Sequence, residues 1–273
     1  MVRGRLGPGR MLGMESGEPP RAAQRDAAYF DQWYEDMTTS PARDAIVARI
    51  LGLPPELQST SMLTWPGIAQ ATEALRMPPG GLLLDVACGR GGYGIEVARR
   101  TGAHLLGVDF SAVALRHARV RSARLLPAGR AEFRAGMLIA TGLPAAVADG
   151  LMCVDAVQFA DPPLAALLEF RRVLAPGARL VLSCWEAADP SDERVSPRIH
   201  AVNLRRDLPA AGFAEVQVHD KPEWREIERR MWQEALAAPA GSDAGIRALQ
   251  TEGRRSLDTF DSLRRVLATA TAP

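Results

Sequence analysis

Asp85-Val-Ala-Cys-Gly89-Arg-Gly91-Gly92-Tyr-Gly94 is the stretch whose residue types and spacing most directly imply chemistry. It follows the apolar run LLLDVA and opens the amphipathic segment GIEVARR. Glycines there permit positive φ and close approach of the backbone to a ligand, and the helix that follows offers unpaired N–H groups at its start. Asp109 ends the next apolar run, HLLGVDF, about 20 residues further on, where an acid hydrogen-bonds ribose hydroxyls. Together these residues describe a site for a nucleotide-like ligand. Gly89-x-Gly91-x-x-Gly94 also fits the dinucleotide fingerprint, so the motif alone does not name the cofactor.

Other residues could carry chemistry further along. Asp155, at the end of GLMCVDAVQF, stands where ligands bind in open α/β sheets, as a general base, as a ligand to the cofactor's amino group, or as the cap of a turn. Gln158 could orient a polar group of a substrate. His200 titrates near neutral pH and is a candidate acid or base, or else a surface histidine. Trp65, Trp185, Trp224 and Trp232 suit the walls of a flat apolar pocket, or the packing of a cap. The charged stretch Glu226 to Arg230 reads as a solvated helix face.

Several classes are excluded by what is missing. Lys221 is the only lysine and Tyr29, Tyr34 and Tyr93 the only tyrosines, so there is no Tyr-x-x-x-Lys pair; no Walker loop, HExxH or GxSxG occurs. Cys88, Cys153 and Cys184 are scattered, with no CxxC pair or Cys/His cluster, so no metal site is expected and a reducing compartment is. With 33 Lys+Arg against 32 Asp+Glu, the chain lacks the cationic excess that nucleic acid demands. The start has no apolar h-region and no segment gives 18 uninterrupted apolar residues, so a cytoplasmic protein without a membrane partner is expected.

The elements that must position these residues follow from periodicity. Residues 1–25 are rich in Gly, Pro and Arg and are expected to form a disordered tail. Asp26 to Met37 carries Phe30, Trp33 and Tyr34 on one helical side. Ser40-Pro41 opens a second helix with Ile46, Val47, Ile50 and Leu51 as its buried stripe, and Thr64 opens a third. From Gly81 short apolar runs alternate with amphipathic segments, as parallel strands covered on both faces require. The fold class expected is α/β, a Rossmann-like, doubly wound, mostly parallel sheet. A helix around Ala201 to Ala211 and a strand Phe213 to His219 come next. The helical passage before the last strand, Arg264 to Thr271, is too long for a hairpin and reads as an inserted cap.

From about Asp26 to the C-terminus the chain resembles the class I S-adenosylmethionine-dependent methyltransferases, especially small-molecule tailoring enzymes of secondary metabolism. The resemblance rests on LLLDVACGRGGYG, GVDFS, VDAVQF and FRRVLAPGARLVLSCWE, with Ala87 where the family's first glycine usually stands. It implies a tail over 1–25 and a methyltransferase domain over 26–273: an N-terminal helical lid (26–79), a cofactor-binding core (80–221), a helical cap (222–263) and a closing antiparallel strand (264–273). It implies S-adenosylmethionine as cofactor, with Asp85, Ala87, Gly89 and Gly91 around its methionine half, Asp109 on the ribose and Phe110 against the adenine. Met137 occupies the position of a frequent adenine-binding Asp, so backbone near Met137 and Leu138 is expected to read the adenine edge. Tyr29 and Tyr34 belong to the lid, and Asp155 is a further cofactor candidate. Asp155 and His200 are the catalytic candidates; Trp65, Gln158 and Trp185 are those for a small-molecule substrate. A nicotinamide oxidoreductase, a catalytically silent binder and a non-methylating user of the same cofactor stay open as alternatives.

Overall fold

A computed structural model describes residues 21–58 and 60–273. Strands β1 (Leu82–Val86), β2 (His104–Asp109), β3 (Ala131–Ala135), β4 (Ala148–Val154), β5 (Leu174–Ala187), β6 (Ala214–Asp220) and β7 (Leu263–Thr271) form one sheet in the order β3-β2-β1-β4-β5-β7-β6. β1 to β5 are mutually parallel, and β7 runs antiparallel between β5 and β6. The helices are α1 (Arg21–Thr38), α2 (Pro41–Leu51), α3 (Trp65–Leu75), α4 (Gly92–Thr101), α5 (Ala112–Leu125), α6 (Pro163–Val173), α7 (Pro197–His200), α8 (Leu204–Ala210), α9 (Pro222–Ala237) and α10 (Ala244–Asp258). This is the doubly wound α/β architecture that the alternating runs require.

The unalternated strands are buried on both faces. Leu84, Leu106, Leu151 and Leu182 pack with Phe170 of α6 and Leu208 of α8. Their neighbours Leu83, Leu105, Met152 and Val181 pack with Ile68 of α3, Ile95 of α4 and Trp224 of α9. Each such side chain contributes about 1.5–3 kcal/mol by leaving water. The strand order reverses between β1 and β4, so the connections leaving their C-terminal ends diverge and open a crevice there.

Local differences from the sequence reading have physical causes. α1 takes in residues 21–25, which were expected in the tail; residues 1–20 lie outside the described residues. In α2 the buried residues are Arg43, Val47 and Leu51, while Ile46 and Ile50 are half-exposed, because Arg43 turns inward to pair with Asp44. The helix expected around Ala201 to Ala211 is α8, shortened to Leu204–Ala210 and preceded by the short α7, because the Asn203 side chain caps its start by accepting from the Arg206 N–H at 3.0 Å. α9 and α10 form the passage between β6 and β7, and Glu228 within α9 is buried at 2% exposure. The stretch Glu226 to Arg230 is therefore not wholly a solvated face.

Candidate functional site

The crevice is floored by the turn after β1. Ala87, Gly89 and Gly91 have φ of 59°, 52° and 78°, so three alternate residues are left-handed, one of them an alanine. Gly92 and Gly94 are required for another reason: a Cβ at Gly92 would strike the Leu57 carbonyl, and one at Gly94 would strike the Asp85 carboxylate. The N–H of Gly94 donates to Asp85, joining the first turn of α4 to the end of β1.

Asp109, at the tip of β2, accepts from the Gly89 N–H (2.8 Å) and the Ser111 N–H (2.9 Å). Two carboxylates thus brace the turn from either side, both 3% exposed. Burial, reinforced by the charge of Asp109 and opposed by the Gly94 N–H, raises the Asp85 pKa to about 8. Burial also raises Asp109, against the N–H donors of Ser111, Gly89 and Phe110, to about 6. A buried pair of acids with elevated pKa in a crevice is a mark of a functional site.

Elements from the N-terminal region close over this turn. Tyr34 of α1 is buried and hydrogen-bonded to Thr60, and a Cβ at Gly89 would sit 2.8 Å from its hydroxyl. Burial pushes its phenol well up, so it stays protonated. Asp31 of α1 accepts from the Ser111 hydroxyl at 2.5 Å and from the Val113 N–H at 3.2 Å, at the start of α5. Arg90 of the turn makes a two-pronged pair with Asp44 of α2 at 2.8 and 3.0 Å. Thr60, Ser61, Asp85, Ala87, Arg90 and Val154 line one cavity. Tyr29, by contrast, is 67% exposed, edge-on to Phe30, so the two lid tyrosines do not share a role.

Phe110 meets Phe30 edge to face at 5.2 Å. Met137 is half-buried, with its N–H donating to the Ala140 carbonyl at 3.0 Å and its own carbonyl accepting from Ala140 at 3.1 Å. Those Met137 backbone groups are therefore used locally. Gln158, 3% exposed, donates to the Asp155 carbonyl at 2.8 Å, and its buried Oε1 has no partner.

Asp155 follows β4 with φ of 57°, a strained value for a non-glycine residue. Its carboxylate faces Arg265 of β7 through both oxygens (2.6 and 2.7 Å), and accepts from the Ser183 hydroxyl at 2.8 Å and the Met62 N–H at 2.9 Å. Arg265 has its guanidinium 3.8 Å from the Trp185 ring centroid and its Nε 3.8 Å from Glu228. Glu228 accepts from the indole N–H groups of Trp185 and Trp232, each at 3.1 Å. The Asp155 carboxylate is therefore the joint of a buried network and carries no lone pair set aside for a substrate proton.

The remaining candidates lie elsewhere. His200 has Nε2 2.6 Å from the Asp192 carbonyl, and no hydrogen bond joins it to Asp155 or the glycine turn. Trp65 begins α3 with the Arg100 guanidinium 4.2 Å from its ring centroid, at the end of α4 remote from the turn. Trp224 and Trp232 are core residues of the cap, 1% and 2% exposed. Trp185 does border the buried network. Glu228 and Arg265 were missed; Glu228 falls in the helical stripe Trp224, Glu228, Met231, Ala235, which is the signal that could have found it.

Comparison with known proteins agrees with this geometry. A family model described as a methyltransferase domain matches residues 83–177, which contain the glycine turn, Asp109 and Asp155. The O-methyltransferase resE of Aspergillus sclerotiorum is 27% identical over 149 residues, covering 50% of this chain and 56% of that protein. The ubiquinone/menaquinone biosynthesis C-methyltransferase UbiE of Geobacter sulfurreducens is 31% identical over 144 residues, covering 52% of this chain and 55% of that protein. The chain thus spans about half the length of these relatives. A solved structure of Haemonchus contortus phosphoethanolamine N-methyltransferase 2 with S-adenosyl-L-methionine shares the fold, with a TM-score of 0.67 at 19% identity over 84% of this chain and 56% of that one.

Proposed function

We propose that this chain, whose residues 83–177 match a methyltransferase domain, is a class I S-adenosylmethionine-dependent enzyme that binds S-adenosylmethionine and methylates a small-molecule acceptor by in-line displacement. The observation that carries the reading is the left-handed turn from Ala87 to Gly91 braced by the buried carboxylates of Asp85 and Asp109. These residues fit the cofactor: the Asp109 carboxylate at the tip of β2 takes the ribose hydroxyls, Phe110 and Leu138 border the adenine, and the glycine turn with Tyr34 receives the methionine half. When bound, the cofactor supplies an electrophilic methyl group on a sulfonium.

The chain's own residues then have two tasks. They hold the acceptor about 3 Å from the methyl carbon and in line with the breaking bond, which by itself accounts for much of the rate. They also exclude water, through α1 and the loop residues Thr60 and Ser61 that line the cavity. A general base is required only for an acceptor protonated at working pH. Because each Asp155 oxygen already holds two donors, whereas one Asp109 oxygen holds the Gly89 N–H and the other the Ser111 N–H, we assign Asp155 to positioning, and His200 to its own connection. Gln158, with its unpartnered buried Oε1, and Trp185 are our candidates for contact with the acceptor.

The balanced charge and the apolar cap favour an enclosed pocket for a small acceptor over a nucleic-acid groove, and a place in secondary metabolism agrees with that. No helix among the described residues is long and apolar enough to cross a membrane, and we place the protein in the cytoplasm. The test is incubation with methyl-labelled S-adenosylmethionine and a panel of small phenols, carboxylic acids, amines and activated carbon acids. Label entering one acceptor class with equimolar S-adenosylhomocysteine supports the reading. Cofactor binding with no label transferred across the panel would favour a silent or non-methylating binder.

A further inference from the structure

A buried acid–base–acid chain lies directly behind the cofactor cavity. Val154, which lines that cavity, is followed by Asp155; the loop residues Thr60 and Ser61 line it too, and their neighbour Met62 donates its N–H to Asp155. Asp155, Arg265 and Glu228 are 7%, 1% and 2% exposed, so their charges act through protein and not through water. Asp155 and Arg265 neutralise one another. Glu228 has no cation of its own: it shares Arg265 at 3.8 Å and otherwise receives only the neutral indole donors of Trp185 and Trp232. Other cations on and near α9 pair elsewhere: Arg225 and Arg229 with Asp261, Lys221 with Glu223, Arg49 of α2 with Glu234 and Arg43 with Asp44. The net charge of the cluster is therefore −1 or 0 according to the protonation of Glu228 alone.

We propose that Glu228, through its shared hold on Arg265 and Asp155, sets the charge behind the cofactor cavity, so that its ionised form favours the cationic methyl donor over the neutral thioether product. The inference rests on the methyltransferase reading given above. Methyl transfer removes a positive charge from the ligand, so a site that stays at −1 binds the donor better and lets the product go, whereas a site at 0 discriminates less. Burial, against the opposing pull of Arg265, brings the Glu228 pKa to about 7, so both states are reached near neutrality. Asp85 lines the same cavity, Asp109 braces the turn beside it, and both titrate as well, so the test must separate them from Glu228.

The test is titration calorimetry of the full chain with S-adenosylmethionine and S-adenosylhomocysteine between pH 6 and 8.5, for the native protein and Glu228→Gln. The quantity read is the donor/product affinity ratio of the native protein divided by that of the variant, which cancels the titration of the ligands, Asp85 and Asp109. It is expected to rise from near unity at pH 6 by about three- to tenfold at pH 8.5. A quotient flat across that range overturns the inference while leaving the methyltransferase reading intact. Failure of both ligands to bind the native protein at any pH overturns that reading, and the inference with it. Should Glu228→Gln not fold, Trp232→Phe removes one donor from the carboxylate. The midpoint of the pH-dependent ratio is then expected to move upward, and an unmoved midpoint overturns the inference equally.

Discussion

Asp109 braces the glycine turn before it meets any ligand, because one of its oxygens holds the Gly89 N–H and the other the Ser111 N–H. Asp109→Ala should therefore weaken S-adenosylhomocysteine binding by about 1–3 kcal/mol through an unpaired ribose edge. Unchanged affinity in calorimetry would remove Asp109 from the site. Gly92→Ala should act on the fold itself, since the new methyl meets a main-chain carbonyl and not the flexible end of a side chain. A loss of about 1–3 kcal/mol in urea unfolding is expected, and a midpoint equal to the native one would contradict the contact. At this scale the sequence was informative where geometry must be written in residue type. Gly89 and Gly91 announce their positive φ, while Ala87 adopts the same region without announcing it. The strand-end position of Asp155 was legible, but its pairing with Arg265 was not, because Arg265 lies 110 residues away and nothing local joins them.

Lid and cap are joined where two helices begin. Ser40 caps α2 by accepting from the Arg43 N–H and donates its hydroxyl to Asp243 at 2.9 Å; Asp243 in turn caps α10 by accepting from the Ile246 N–H at 3.0 Å. Asp243→Ala should cost about 1–2 kcal/mol of stability and raise protease cleavage around the start of α10. Equal stability and an unchanged cleavage pattern would show that the caps act independently. The starts of α2 and α3 were legible, since Ser40-Pro41 and Thr64 are cap signals read one residue at a time, whereas the Asp243 cap of α10 was not read. The contact between Ser40 and Asp243 was not legible either, because they are 203 residues apart and each caps its own helix locally. Glu228 shows the same limit: a run of charges suggested solvent, whereas the wider stripe from Trp224 to Ala235 turned that one acid inward.

Across the whole molecule the buried acids make stability depend on pH in a defined direction. Asp109, Glu228 and Asp85 have folded pKa values raised to about 6, 7 and 8, so the folded chain holds protons that the unfolded chain releases. Their contribution is complete below the unfolded carboxylate range near pH 4 and is lost as pH rises through those values. The free energy of unfolding should fall between pH 5 and 8.5, and Asp85→Asn, which can still accept from Gly94, should flatten the upper part of that fall by about 2 kcal/mol. A native profile that rises over this range would contradict the burial argument. The doubly wound, mostly parallel class followed from the alternation of apolar runs and amphipathic segments, which is a whole-chain property; the strand order was not legible, because it depends on which runs pair across the chain. What binds at the point where that order reverses is the central claim, and titration calorimetry with S-adenosylhomocysteine and, in parallel, NAD tests it most directly. Selective micromolar binding of S-adenosylhomocysteine is the predicted result; binding of NAD alone would contradict the account and return Asp109 to the ribose of a nicotinamide cofactor.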